Sequence, residues 1–201
     1  MRFADPHLFA LSGCRDSRGH LNSIARHPKI MADVILTESK IHGIGIFATR
    51  DFAEGEIILP IDDSRVVDEE HPLRSELGEH QDQCDYLAGD QVVLMRSPEV
   101  YINSSCDPNT YVKTINGIRH VVARRLIESG EEITYDYIIN FHGGVVWDCN
   151  CGSPRCRGFV ASSFFDLPLQ LQLEYLPLLD EWFIAEHRAK VKALRRRANT
   201  S

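Results

Sequence analysis

The sequence predicts a mainly β fold of the α+β class, ending in a helical segment. Between Met31 and Tyr137 the apolar residues come in short runs rich in Ile, Val, Thr and Tyr, punctuated by turn formers such as "AEGE", "AGD" and "ESGEE". No alternation of helical and strand patterns occurs there, which argues against a parallel α/β sheet. Beyond the cysteines near residue 150 the pattern lengthens into apolar stripes at helical spacing.

Taken in order, residues 1–30 show no sustained period and contain Gly13, Ser17, Gly19 and "RHPK", so a poorly ordered extension is expected. The strand-like run "DVIL" follows Met31, and a natural start at Met31 is one expectation; a transit peptide fits less well because Asp5 and Asp16 are acidic. The runs "GIGIFAT", "EIILPI", "QVVLM", "VYIN", "TYVKTI", "RHVVARRL" and "EEITYDYII" then read as strands. Asn116-Gly117 between two of them is a two-residue hairpin signal. The polar stretch 68–86 has room for a short helix. Past the cysteines, "LPLQLQLEYLPLLDEWFIAEHRAKVKALRRRA" reads as helices broken near Pro168 and Pro177. Leu178, Leu179, Trp182, Phe183 and Ala185, continued by Val191 and Leu194, form the face expected to pack on the domain.

The bulk numbers are those of a soluble globular protein: 201 residues, 43% hydrophobic and 25% charged. No apolar run approaches the roughly 20 residues that span a bilayer, and no signal pattern opens the chain, so an intracellular setting, cytoplasmic or nuclear, is expected. A net charge of −7 argues against general affinity for nucleic acid. The charge is unevenly spread. Residues 62–90 hold ten acids against Arg65 and Arg74, whereas residues 186–197 hold six bases against Glu186. The ordinary reading of each run is a solvated face. The sharper one is that the acidic segment meets a basic partner, and that nucleic acid is reached only through the basic C-terminal end.

The stretch "WDCNCGSPRCRG" gathers Cys149, Cys151 and Cys156 as C-x-C-x4-C. In a reducing compartment clustered thiols favour a metal over disulfides, and thiolates favour zinc, which takes four ligands at a structural site. Three cysteines leave one position open. Cys14, Cys84, Cys106 and His142 are the candidates; Cys106 lies in "YINSSCDPNTYV", a compact stretch of small polar residues.

"GIGIFA" followed by "GEII", then "YINSSCDPN", "GEEITYDY" and "CNCGSPRCRG", fall in the order that resembles SET-domain protein-lysine methyltransferases with a post-SET zinc motif, over about residues 35–159. The resemblance implies a SET-type β-fold of several small sheets with a pseudoknot, in which "NSSCDPN" passes under a loop near "GEEITYDY". It implies a SET domain over 31–142, a post-SET zinc loop over 143–161 and a helical extension with a basic end over 162–201. It places Cys106 with Cys149, Cys151 and Cys156 on one zinc ion, and S-adenosylmethionine as methyl donor. Tyr137 takes the position of the catalytic tyrosine, and Tyr135 the position that limits how many methyl groups fit, which points to mono- or dimethylation. The donor pocket maps onto His42, Gly43, Ile44, Gly45, Asn103, Ser104, Tyr137 and Phe159, with Tyr86 a looser match; Tyr101 maps to the lysine channel. One departure stands out: Asn103-Ser104-Ser105-Cys106 replaces the family's Asn-His-Ser-Cys, which costs the histidine's ring packing on the donor. The variable insert covers 62–90, and its charge suggests a basic protein substrate such as a histone tail. The alternative is a degenerate SET fold that binds without turnover. Neither Cys14 nor Cys84 acquires a role.

Overall fold

A computed structural model describes residues 29–31, 33–144 and 146–198. Among these described residues thirteen short strands and three α-helices follow in sequence. The first are β1 (Lys29–Met31), β2 (Val34–Glu38) and β3 (Ile44–Ala48), an antiparallel meander in which Ile35 faces Phe47 and Leu36 faces Ile46. Residues 1–28 lie outside the described residues, and with them most of the stretch expected to lack order. Lys29 and Ile30 already pair with Leu36 and Ile35, so the sheet begins two residues before Met31.

Next come β4 (Ile57–Pro60), β5 (Val66–Val67), β6 (Cys84–Tyr86), β7 (Val92–Leu94), β8 (Asn103–Ser104), β9 (Thr110–Ile115), β10 (Ile118–Ala123) and β11 (Glu132–Tyr135). The predicted hairpin is β9–β10. Asn116 and Gly117 both take positive φ, 51° and 80°, as a tight turn between right-twisted strands requires. β4 joins β10 on its other side, and β5, β7 and β6 form a second small sheet. The acidic stretch holds 3₁₀ turns at Ser75–Leu77 and Gln81–Gln83 in place of a short α-helix; none of their residues is buried, so no apolar face supports a longer helix. β12 (Trp147–Asp148) and β13 (Phe159–Val160) bracket the three clustered cysteines.

The decisive connection is the parallel pairing of β8 with β11, Thr134 beside Asn103 and Tyr135 beside Ser104, at the edge of the β1–β2–β3–β11 sheet. This sets two sequence-distant motifs side by side, the adjacency that a pseudoknot needs. Alternating side chains of these strands fill one core, among them Val34, Leu36, Ile46, Val121 and Ile133, joined by Phe52 from the loop between β3 and β4.

A second core lies under the C-terminal helices α1 (Leu169–Tyr175), α2 (Glu181–Glu186) and α3 (Arg188–Ala198). Pro168 precedes α1 and Pro177 sits in the 3₁₀ turn Leu176–Leu178, so both prolines break helices where expected. Leu179, Phe183, Val191 and Leu194 are buried as anticipated. Ala185 is exposed; α2 ends one residue later, and His187 leaves helical geometry before α3 begins. Asp180 locks this unit to β9: its carboxylate accepts from Thr114 N (2.8 Å) and Thr114 Oγ1 (2.7 Å) and caps α2 at Glu181 N (2.7 Å). Among the described residues no helix is long and apolar enough to cross a membrane.

Candidate active site and zinc clasp

The β8–β11 ladder positions the site. Just beyond β8 the chain delivers Cys106, 2% exposed, against the loop between β12 and β13. The Sγ atoms of Cys106, Cys149, Cys151 and Cys156 all lie within 4.8 Å of one another, with Cys106 and Cys149 3.6 Å apart. Four thiolates at about 2.3 Å from a tetrahedral zinc ion stand about 3.8 Å apart, so the group fits one zinc without rearrangement of the chain. Cys84, bonded through its thiol to His80 O, and His142, whose Nδ1 lies 2.6 Å from Ser163 Oγ, stand outside this group. Cys14 lies outside the described residues.

Backbone amides surround the sulfurs as a metal–thiolate site requires. Cys106 N points to Cys151 Sγ (3.5 Å), Arg157 N to Cys106 Sγ (3.4 Å) and Gly158 N to Cys156 Sγ (3.4 Å). Burial pushes the Cys106 and Cys149 thiols up. Burial also works against ionisation of Cys151, but the N–H groups of Cys106 and Ser153 and the adjoining thiols outweigh it and bring that thiol down to about 7. One sulfur is thus ready to ionise near neutral pH, and a divalent cation would draw the protons from the rest.

The clasp is tied to the tyrosine pair by a contact that spacing did not reveal. Asp136, 1% exposed between Tyr135 and Tyr137, accepts from Arg157 Nη1 (2.6 Å) and Nη2 (3.0 Å), one residue past Cys156. Tyr175 of α1, fully buried, lies 3.3 Å from both Asp136 Oδ2 and Cys106 O. On the outside, Arg155 and Arg124 both pair with Glu174. The only hints in the sequence are that Arg157 follows Cys156 and that Asp136 divides two tyrosines.

Tyr135 and Tyr137 stack at a tilt, ring centroids 5.2 Å apart. Tyr137 Oη donates to Ile102 O (2.8 Å), and Tyr137 N donates to Ser104 Oγ (3.3 Å). Ser104 therefore holds the tyrosine strand even without the family's histidine. Burial, with the carboxylates of Asp85 and Glu99 adding to it, keeps both phenols above their ordinary range, so both hydroxyls stay neutral.

Asn103 draws the first motif in. Its Nδ2 donates to His42 O (3.1 Å), Ile44 O (3.4 Å) and Glu132 Oε1 (2.9 Å), and Ser39 Oγ donates to the same carboxylate. Gly43 takes φ +49°, which favours glycine, and a Cβ on Gly45 would stand 2.4 Å from Glu132 Oε1, so a side chain there would push that carboxylate aside. His42, Gly43, Ile44, Gly45, Asn103, Ser104 and Tyr137 are thereby gathered, while the His42 side chain points into solvent. Tyr86 (42% exposed, on β6) and Phe159 (45% exposed, on β13) sit at the surface of other small sheets. Tyr101 packs against the first core.

With this geometry in place, a family model described as "SET domain" matches residues 43–138. Residues 43–138 are thus similar to SET domains. Its relatives include the histone-lysine N-methyltransferase trithorax of Drosophila virilis, 31% identical over 61% of this chain and 3% of that protein. The histone-lysine N-methyltransferase ATX2 of Arabidopsis thaliana is 34% identical over 61% of this chain and 12% of its own. This chain therefore spans only a small part of the curated relatives' length. A solved structure of KRYPTONITE in complex with mCHG DNA and SAH aligns over 63% of this chain and 28% of its own, at 20% identity and a TM-score of 0.46.

The acidic stretch 62–90 spends part of its charge within the chain. Asp63 and Asp85 clamp Arg119, Asp62 meets Arg96, and Glu79 binds Arg65 and Arg74. Glu69, Glu70, Glu76, Asp82 and Asp90 remain exposed.

Proposed function

We propose that this SET domain transfers methyl groups from S-adenosylmethionine to a lysine of a basic protein, in the manner its relatives' names describe. The observation that carries the reading is the β8–β11 ladder, which sets Asn103 and the tyrosine pair beside a four-cysteine clasp. The donor supplies an activated methyl on a sulfonium. The chain's part is to bind and align, which suits an in-line displacement by a neutral amine that needs orientation above all.

The donor's amino-acid end has acceptors in the carbonyls of His42 and Ile44, which Asn103 already draws together. Gly43 and Gly45 let the backbone approach closely. The exposed ring of Phe159 beside the zinc loop is available to pack on the adenine. Tyr137, neutral and anchored on Ile102 O, presents its hydroxyl region to the sulfonium and the amine. Tyr135, neutral and buried beside it, restricts room for further methyl groups, so mono- and dimethyl-lysine are the expected products. The exposed acids of the insert favour a lysine- and arginine-rich target, and a histone tail in the nucleus meets that requirement.

The test is transfer of labelled methyl from S-adenosylmethionine to an array of lysine peptides. Transfer to basic peptides, abolished by Tyr137→Phe, is expected. A wild-type protein that binds donor yet labels no peptide, or that prefers acidic flanks, refutes the reading.

A further inference from the structure

Glu99 opens the 3₁₀ turn Glu99–Tyr101 that leads into β8, and it is only 2% exposed. Neither of its carboxylate oxygens has a hydrogen-bond partner. Buried polar groups are nearly always bonded, and an orphan in a native fold calls for a reason. Arg119 of β10 faces it with Nη2 3.6 Å from Oε1, beyond hydrogen-bond range. That guanidinium is already committed to Asp63, at 2.9 and 2.7 Å, and to Asp85, at 2.5 Å. The charged group facing Glu99 is therefore Arg119, which also holds Asp63 from the loop after β4 and Asp85 from β6; these acids and the two phenols at the end of β11 interact with Glu99 electrostatically.

These surroundings separate the acids by role. Asp63 and Asp85 share Arg119 as their partner and are each about a third exposed in their side chains, at 28% and 31%. Glu99 is dry and lacks a donor. Burial, opposed by Arg119 and aided by Asp85 and Asp63, pushes its carboxyl up to about 8. Its proton affinity thereby moves from that of a surface acid toward that of an amine, whose ordinary pKa is about 10.4. Its turn is bonded toward the tyrosine pair: Ile102 N donates to Glu99 O (2.8 Å), and Ile102 O in turn accepts from Tyr137 Oη (2.8 Å), beside which a target nitrogen would lie. The hydroxyls themselves stay neutral and cannot take a proton near pH 7.

We propose that Glu99 receives the ammonium of the target lysine and takes its proton ahead of methyl transfer, an inference that rests on the methyltransferase reading above. An N–H bond breaks with its electron pair left on nitrogen, and an O–H bond forms on Glu99. The nitrogen pair then bonds to the methyl carbon of the sulfonium donor, and the C–S pair departs on sulfur. The positive charge passes from sulfonium to methylammonium, and the donor leaves as a neutral thioether. Glu99 afterwards releases its proton to solvent past the partly exposed Asp85 and Asp63.

The test follows kcat/KM on a basic lysine peptide with S-adenosylmethionine from about pH 6 to about pH 10, in wild type, Glu99→Gln and Glu99→Asp. Wild type should rise with pH and level off near 8. Glu99→Gln should fall about a hundredfold and keep rising toward about 10 without levelling, because solvent must then take the proton. Donor affinity should stay within about twofold, since the acid is not a donor contact, and Glu99→Asp should restore a levelling point at a displaced pH. A folded Glu99→Gln that keeps the wild-type rate and profile overturns the proposal alone. Should that variant not melt cooperatively, Glu99→Asp decides: an unmoved levelling point overturns it. A wild type that binds donor but transfers nothing sinks both this step and the enzymatic reading.

Discussion

Replacing Arg157 by alanine should cost more than its single position suggests, because it strips the cation from a carboxylate that cannot reach water. Asp136 is 1% exposed and accepts two guanidinium bonds, at 2.6 and 3.0 Å. Breaking a buried ion pair from one side costs about 3–5 kcal/mol, chiefly the penalty of the charge left behind. Two weaker contacts survive, from Tyr175 Oη and from Ile138 N, each at 3.3 Å, so the lower end, about 3 kcal/mol, is expected. For a chain of this size that corresponds to a fall in Tm of about 6–12 °C. Thermal unfolding of the zinc-loaded full chain, followed by circular dichroism, measures it. Arg50→Ala, whose ion pairs are about half exposed, serves as the control and should melt close to wild type. The pair also joins the tyrosine strand to the clasp, so zinc should dissociate faster in Arg157→Ala, read with a chromogenic chelator. An Arg157→Ala that melts with the control and keeps its zinc would refute the argument that this pair holds the clasp to the tyrosine strand.

Other expectations follow from the same contacts. Cys106→Ser should lower bound zinc below one ion per chain by elemental analysis, and the 146–158 loop should become sensitive to limited proteolysis, as it should in wild type treated with a chelator. Tyr135→Phe should shift product toward higher methylation states by mass spectrometry, while Tyr137→Phe abolishes transfer. Asp180→Ala leaves three donors without their acceptor and should destabilise the chain by about 3 kcal/mol, read from denaturant midpoints. Glu99 gives a pH signature of stability. Its folded pKa is raised from 4.5 to about 8, so the folded state holds more protons than the unfolded one between those values. Wild type should lose stability relative to Glu99→Gln as pH rises through that window, and the two should agree below it.

The sequence by itself determined the local chemistry. Strand and helix periodicity, the Asn116-Gly117 turn, the prolines that interrupt the C-terminal helices and the C-x-C-x4-C spacing are properties of neighbours along the chain, and the structure repeats them. The order of motifs carried the fold as well, because β8 and β11 each bear a recognisable run. Tertiary structure decided what depends on distant partners. Spacing left Cys84, Cys106 and His142 open, the resemblance pointed to Cys106, and the fold brings Cys106 to the three sulfurs; the fold alone paired Asp136 with Arg157 and Tyr175 across intervals that no local pattern encodes. The charge of the acidic insert is visible in composition, but which acids are spent on Arg119, Arg65 and Arg74 follows from packing. Glu99 shows the difference most plainly. In sequence it is one acid among twenty-nine Asp and Glu residues, and only the loss of water around it and the prior commitment of Arg119 give it a distinct chemistry. Desolvation is a property of the folded interior, and a linear sequence does not contain it.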